Sequence, residues 1–467
     1  MQINLEFVSR STGGKIIYGN DKGIISAITT DSRRVPPGSL FIALKGERFD
    51  GHEFVLPALA QGARAAVVSR RPVNWEFPDN TALILVDDTL QALQDLAASY
   101  RMQFNLPLIA VTGSVGKTTT KELIASCLAF TWKTLKTEGN HNNDIGLPLT
   151  LLQLDAGYQA AVVEMGMRGR GEIRRLTAIA RPSCALISNI EPVHLERLGS
   201  MENIARAKCE VLTAIPADGF ALINGDYKLL VKTAAEYSCP LYTFGYNKEC
   251  DFQAQECKIA GSGMQIRMRM PDGKMEEIFF PLPATRLALN VVSAAALSSL
   301  LGVDFASIRS RLRDYRPSGN RLHIVSLEAG GVIINDTYNA NPVSMAAALE
   351  TGRQLARPGR YAAILGDMYE LGPLEEEGHL SVGRKAHYEG VDLLVAVGEK
   401  ARDIARGAIT AGMDPRQVHY FETKAEGVQY LQTRVDNSWS MLFKASRGMQ
   451  LETMIDELTE TIINPGR

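Results

Sequence analysis

Long apolar runs are missing from this 467-residue sequence: nothing approaches the roughly twenty apolar residues that a bilayer span needs. A dominant charge is missing too. Fifty basic and 52 acidic residues leave a formal net charge of −2, and no basic stripe provides a footprint for nucleic acid. Cysteine is sparse and scattered, at Cys127, Cys184, Cys209, Cys239, Cys250 and Cys257, with no CxxC pair. That spacing makes no case for a zinc site or a disulfide framework, so the thiols are expected to be reduced and in the core. Cys184, inside the apolar run 184–187, is the clearest case. The opening residues Met1 to Glu6 lack the basic, apolar and small-residue succession of a secretory signal, which leads us to expect a cytoplasmic chain. His52, His141, His323, His379, His387 and His419 do not cluster by spacing, and no Ser/His/Asp or Cys/His nucleophile arrangement is evident. No internal repeat or low-complexity tract is present.

What is there suits a globular enzyme. Hydrophobic residues make up 45% and charged residues 22%, and the length suggests two to four domains. Residues 39–44 and 81–86 are apolar runs of strand length, and 90–104 has helix spacing that ends before Asn105 and Pro107. From Pro107 the pattern becomes regular strand–helix alternation, with strands expected at 108–111, 160–165, 185–190 and 220–223. Residues 265–270 alternate polar and apolar, like an antiparallel strand. Pro317-Ser-Gly-Asn320 is turn chemistry and a plausible hinge. Alternation then resumes, with strands at 362–365, 392–397, 418–421 and 440–443. The whole reads as α/β with three domains: 1–104, 105–318 and 319–467.

The first chemistry-bearing stretch is Thr112-Gly113-Ser114-Val115-Gly116-Lys117-Thr118-Thr119, between an apolar strand and a run of helix formers. Such a turn aims backbone N–H groups at one point, at the positive end of a helix. Gly113 and Gly116 let the backbone approach an anion, Lys117 reaches terminal phosphates, and Thr118 offers a hydroxyl to Mg²⁺. The spacing departs from GxxxxGK[ST], because Val111 stands where the first glycine belongs. An ordinary strand-to-helix turn is the alternative.

Written from Val111 to Thr120, this loop resembles the variant phosphate loop of the Mur ligases and folylpolyglutamate synthetases. Further similar segments follow in order: Glu138-Gly-Asn-His-Asn-Asn-Asp-Ile-Gly-Leu-Pro-Leu-Thr150, Glu164-Met-Gly-Met-Arg-Gly-Arg-Gly-Glu172, Asn189-Ile-Glu-Pro-Val-His194 and Ala205-Arg-Ala-Lys-Cys-Glu210. Asn335-Asp-Thr-Tyr-Asn-Ala-Asn-Pro-Val-Ser-Met345, Leu365-Gly-Asp-Met-Tyr-Glu-Leu-Gly372 and Lys444-Ala-Ser-Arg-Gly-Met449 complete the set. They resemble the Mur branch that adds D-alanyl-D-alanine.

The resemblance implies a small α/β UDP-binding domain, a central P-loop-type parallel-sheet ATPase domain and a C-terminal Rossmann-like α/β domain. It implies an ATP-dependent amide ligase acting in peptidoglycan precursor synthesis, and so in cell shape and division. The substrates would be UDP-N-acetylmuramoyl tripeptide and D-alanyl-D-alanine, taken by a monomer. By the family pattern Ser32, Arg33, Lys45 and Gly46 meet the UDP-sugar, although Asp31-Ser32 alone reads as a turn or helix cap. Asn142 and Asn143 fall in a substrate segment. Glu164, His194 and Lys208, the last as a carbamate (N6-carboxylysine), join Thr118 around Mg²⁺. Without the resemblance Glu164 reads as a solvated strand end, His194 as structural and Lys208 as a solvated helical lysine.

Asn290 is expected at the adenine edge, but Ala284-Thr-Arg-Leu287 replaces the family's Gly-x-His-Asn before it. Arg321, Asp336 and Tyr338 are expected near phosphate and ribose. Asn339, Asn341, Asp367, Lys444, Ser446 and Arg447 are expected at the substrate, with turn formation equally open for the two asparagines and the nucleotide open as the partner of Lys444, Ser446 and Arg447. Ala445 replaces the commoner glycine of the last segment. His379 lies in a family-like segment, with a surface role equally open. Another amide ligase of the superfamily, or a nucleotide-hydrolysing switch that does not ligate, remains the rival reading.

Overall fold

The computed structural model describes residues 2–20, 22–46, 49–71, 76–193, 195–317 and 319–460, with backbone only at 195 and 196. His194 and Ser318, a candidate metal ligand and part of the candidate hinge, lie outside the described residues. The chain folds as two compact units. The first comprises Met1–Ala254, Met268–Met275 and Asn290–Arg311; the second comprises Gln255–Arg267, Glu276–Leu289 and Leu312–Arg467.

The first unit begins with a five-stranded sheet in the order Lys15–Tyr18, Ala82–Leu85, Ala65–Val68, Leu40–Ile42, Ile28–Thr29. Its first pair is antiparallel and the rest are parallel. The runs at 39–44 and 81–86 are thus strands, each shortened at its ends. The helix after them, Thr89–Arg101, starts where Asp88 accepts the N–H groups of Leu90 and Gln91. Such a cap contributes about 1 kcal/mol.

A parallel sheet follows, ordered Thr134–Lys136, Ala160–Glu164, Leu108–Thr112, Cys184–Ile187, Phe220–Asn224, Leu241–Gly245, with Phe252 and Gln253 pairing beyond. Its centre is fully covered: Leu108, Ile109, Ala110 and Val111 are all inaccessible, as are Ala161, Val162 and Val163. Burying each branched side chain contributes about 1.5–3 kcal/mol, and the near-continuous apolar runs are what two covered faces require. Register aligns Glu164 with Val111 and Ile187 with Thr112, so these strands reach the carboxyl edge of the sheet together. Ligands bind at that edge in open α/β sheets.

The second unit has its own sheet, ordered His323–Ser326, Val332–Asn335, Ser440–Lys444, Tyr361–Gly366, Leu393–Val397, Val418–Phe421. The first pair is antiparallel and the others parallel, with helices between, as the alternation after 321 implied. The stretch at 265–270 belongs, up to residue 269, to the strand Gly263–Arg269, where Met264, Ile266 and Met268 are buried in turn.

Cys127, Cys184, Cys209, Cys239 and Cys250 are buried and Cys257 partly so. Burial pushes the thiols of Cys127, Cys184 and Cys209 up to about 12, which keeps them protonated and unreactive.

Candidate active site

The strand Leu108–Thr112 runs into a turn whose glycines take backbone that other residues avoid, with φ of 152° at Gly113 and 80° at Gly116. The helix Lys117–Leu128 starts there with no side-chain cap. The N–H groups of its first residues have no acceptor within the helix, so their dipoles converge just outside it. Lys117 folds back over the turn, its Nζ 2.8 Å from the Gly113 carbonyl and 3.2 Å from that of Ser114.

Beneath the loop lies Glu164, at the end of Ala160–Glu164 and only 2% exposed. Its Oε2 accepts from the Thr118 hydroxyl at 2.6 Å and its Oε1 from the Asn142 amide at 2.7 Å. Its N–H donates to Thr137 Oγ1 at 3.0 Å, and Lys121, itself buried, donates to the Thr137 carbonyl. Among the described residues no cation pairs with this carboxylate. A buried charge without a counter-ion is costly, and hard oxygens from Thr118 and Glu164 side by side are what Mg²⁺ prefers. Thr137 and Lys121 carried no signal in the sequence; only the fold places them behind Glu164.

Lys208 sits on the helix Met201–Cys209, whose start Ser200 caps through the Asn203 N–H. It is 2% exposed and makes no side-chain hydrogen bond or ion pair among the described residues. Burial first, and then the charge of Lys117, hold its ammonium well below the usual lysine range. A solvated helical lysine this is not. Among the described residues no group of three or more His, Cys, Asp or Glu side chains is placed to hold a metal ion.

Asn290 comes to the same loop: its amide donates to Thr120 Oγ1 at 2.8 Å and lies 3.5 Å from the Gly116 carbonyl. Asn143 Oδ1 accepts the Ile145 and Gly146 N–H groups and so holds the turn that leads into the helix Gly146–Leu151. Near the amino end, Arg33 forms a two-point pair with Asp31, whose carboxyl it holds down to about 2. The Ser32 carbonyl accepts from Gln61, the Gly46 N–H meets the Phe49 carbonyl, and Lys45 bridges Asp50 through its backbone.

Asp50, His52 and Ser69 lie together, with His52 Nδ1 2.7 Å from Asp50 and Nε2 3.2 Å from Ser69 Oγ. The Ser69 N–H lies closer to Nε2, at 2.9 Å, and takes its lone pair. The trio is a clasp, because a nitrogen accepting from the backbone cannot also deprotonate the hydroxyl.

In the second unit, Lys444 is 3% exposed and pairs with Asp336 at 2.6 Å while donating to the Asn339 carbonyl at 2.9 Å. Arg321 lies over the Tyr338 ring, 3.8 Å from its centroid. Asn341 caps Pro342–Ala356 in a reciprocal box with Ser344. Asp367 accepts the Lys400 and Ala401 N–H groups at 3.0 and 2.8 Å, and burial raises its pKa. Ser446 Oγ accepts the Tyr369 N–H at 2.9 Å, and Arg447 pairs with Glu452. His379 is wholly buried rather than superficial, donating to the Glu375 carbonyl through Nδ1 and accepting the Met368 N–H at Nε2.

A phosphate-gripping turn above a buried carboxylate, in this order of α/β elements, defines a nucleotide-dependent enzyme. Three family models match successive stretches: the Mur ligase family catalytic domain over 24–101, the Mur ligase middle domain over 111–298, and the Mur ligase glutamate ligase domain over 320–447. The chain belongs to the Mur ligase family. It is 38% identical over 441 residues to the UDP-N-acetylmuramoyl-tripeptide–D-alanyl-D-alanine ligase of Bacillus subtilis, covering 94% of each chain. To the ligase of the same name from Escherichia coli it is 34% identical, covering 93% of this chain and 94% of that one. Among solved structures it is similar to MurF of Acinetobacter baumannii, with a TM-score of 0.88, 33% identity and coverage of 98% and 99%. It is also similar to the Thermotoga maritima MurF ligase in complex with ADP, with a TM-score of 0.80, 27% identity and coverage of 93% and 97%.

Proposed function

We propose that this chain uses ATP to join the terminal carboxylate of UDP-N-acetylmuramoyl tripeptide to the amine of D-alanyl-D-alanine, in peptidoglycan precursor synthesis. The observation that carries the reading is the Thr118–Glu164 pair under the Lys117 helix start, in a chain alike over nearly its whole length to ligases of that name. A carboxylate oxygen attacks the γ-phosphorus of ATP and ADP leaves, giving an acyl phosphate. The dipeptide amine then attacks the acyl carbon, loses a proton, and phosphate departs with the C–O electron pair. Negative charge builds in both steps, so positioning and electrostatic stabilisation dominate the chemistry. Lys117 and the N–H groups of Lys117, Thr118 and Thr119 supply that stabilisation from the chain itself.

Mg²⁺, when bound, neutralises charge on the transferring phosphate. Thr118 and Glu164 would hold it, with Lys208 as a carbamate, and His194 is the fourth member by family pattern. Carbamate formation needs a neutral amine, and a buried lysine without a partner among the described residues favours one. In the same reading Ser32, Arg33, Lys45 and Gly46 take the UDP-sugar and Asn142 orients substrate beside Glu164. Asn290, Arg321, Asp336 and Tyr338 serve the nucleotide, and Asn339, Asn341, Asp367, Lys444, Ser446 and Arg447 serve the peptide end. Domains of 1–104, 105–318 and 319–467, a monomer and a cytoplasmic location complete the proposal.

A coupled assay of ADP release tests it. Release should require both the UDP-muramoyl tripeptide and D-alanyl-D-alanine. Equal release with either omitted would mean a hydrolytic switch or a different ligase.

A further inference from the structure

Two of the phosphate loop's own donors already have a partner. The N–H groups of Ser114 and Val115 converge on Oδ1 of Asn189, at 3.0 and 2.9 Å. The same amide returns a hydrogen bond from Nδ2 to the Val115 carbonyl at 2.8 Å. The Asn189 carbonyl also accepts from the Ser114 N–H, at 3.2 Å. On either side, Ser188 Oγ donates to the Val115 carbonyl at 3.0 Å, while Ser114 Oγ accepts the Glu191 N–H at 2.8 Å and donates to its carbonyl at 3.1 Å. The clamp is itself braced, because buried Asn224 donates to the Ser188 carbonyl at 2.9 Å and the Tyr227 hydroxyl donates to the Glu191 carboxylate.

An amide oxygen at the focus of two backbone N–H groups sits where a bound anion's oxygen sits in a longer glycine loop. Both ends of the Asn189 amide are engaged, so a phosphate oxygen in its place would leave Nδ2 without its acceptor and the Val115 carbonyl with only the Ser188 hydroxyl. Loop length agrees. Val111 is strand, paired with Glu164, so the turn is short and its apex lies against residues 188–191. Gly113 agrees as well: a Cβ there would lie 2.0 Å from Ser188 Oγ, so its missing side chain makes room for the clamp.

We propose that Asn189 is a positioning residue that holds the Ser114–Val115 apex, leaving the nucleotide's phosphates to the N–H groups of Lys117, Thr118 and Thr119 and to the Lys117 ammonium. The inference rests on the ATP reading above and divides the loop into a clamped half and a gripping half.

Hydrogen exchange of the full chain, with and without MgADP, tests this directly. The amides of Ser114 and Val115 should be protected before nucleotide is added and change little afterwards, while those of Lys117 to Thr119 gain protection. Fast exchange at Ser114 and Val115 in the free protein, slowing on MgADP addition, would overturn the proposal. Asn189→Ala should lose that protection and raise the KM for ATP about tenfold or more, with the KM for the UDP-tripeptide within about threefold. An unchanged KM for ATP in a folded Asn189→Ala would also overturn it. If that variant does not fold, the exchange pattern of the native protein still decides. If MgADP releases no binding heat, the ATP reading fails instead, and protection in the free protein still reports on Asn189.

Discussion

Glu164 and Lys208 are the residues whose environments most constrain the chemistry. Each is a buried titratable group without an oppositely charged partner among the described residues, and each is tolerable only if something else completes its surroundings. Glu164→Gln keeps an oxygen for Thr118 or Asn142 and removes the charge. We expect a near-native melting temperature, a higher Mg²⁺ requirement, and kcat lowered about 100-fold or more. An unchanged Mg²⁺ titration would remove Glu164 from the metal site.

For Lys208 the pH sign follows from its depressed folded pKa. Below its unfolded pKa the unfolded chain binds the proton that the native state resists, so stability contributed here rises with pH and falls on acidification. Lys208→Met removes that penalty. It should melt higher at neutral pH, by about 1–4 kcal/mol of stability, while losing activity. Lys208→Ala activity recovered by short-chain carboxylic acids supports the carbamate, and normal activity in Lys208→Ala without them sinks it.

At the scale of elements, several candidate contacts turn out to hold helices. Asn341 caps Pro342–Ala356, and Asn143 holds the turn that leads into Gly146–Leu151, so each has a structural role. Asn341→Asp retains the cap, whereas Asn341→Ala should lose about 1 kcal/mol of stability. If Asn341→Asp keeps stability but loses peptide affinity, the side chain also meets substrate; if it keeps both, capping suffices. Asp367 similarly terminates two N–H groups, and Asp367→Asn should keep the acceptor while removing a charge that burial disfavours. The expected result is a melting temperature at or above native near neutral pH.

Strand existence was legible because the sheets bury continuous apolar runs, as at 108–111 and 393–397. Lys15–Tyr18, Thr134–Lys136 and His323–Ser326 were not legible: each is short, half-exposed and at a sheet edge, where pairing rather than pattern makes the strand.

For the whole molecule, two compact units predict two unfolding transitions by calorimetry. MgADP at about 100 times its Kd should raise the transition of the unit carrying Lys117 by about 2.7 kcal/mol of stability. A single cooperative transition would count against independent units.

By itself the sequence determined the class. Strand–helix alternation, a Gly-Ser-Val-Gly-Lys-Thr turn after an apolar strand, and ordered segments along nearly the full length are local patterns, and local patterns survive in one dimension. Tertiary structure decided the environments. Thr118 and Glu164 are 46 residues apart, Asn189 and Ser114 are 75 apart, and Lys444 and Asp336 are 108 apart. Burial, hydrogen-bond satisfaction and pKa depend on what folding brings from such distances. That is why Lys208 reads as a surface lysine in the sequence and is a buried amine, unpaired among the described residues, in the fold.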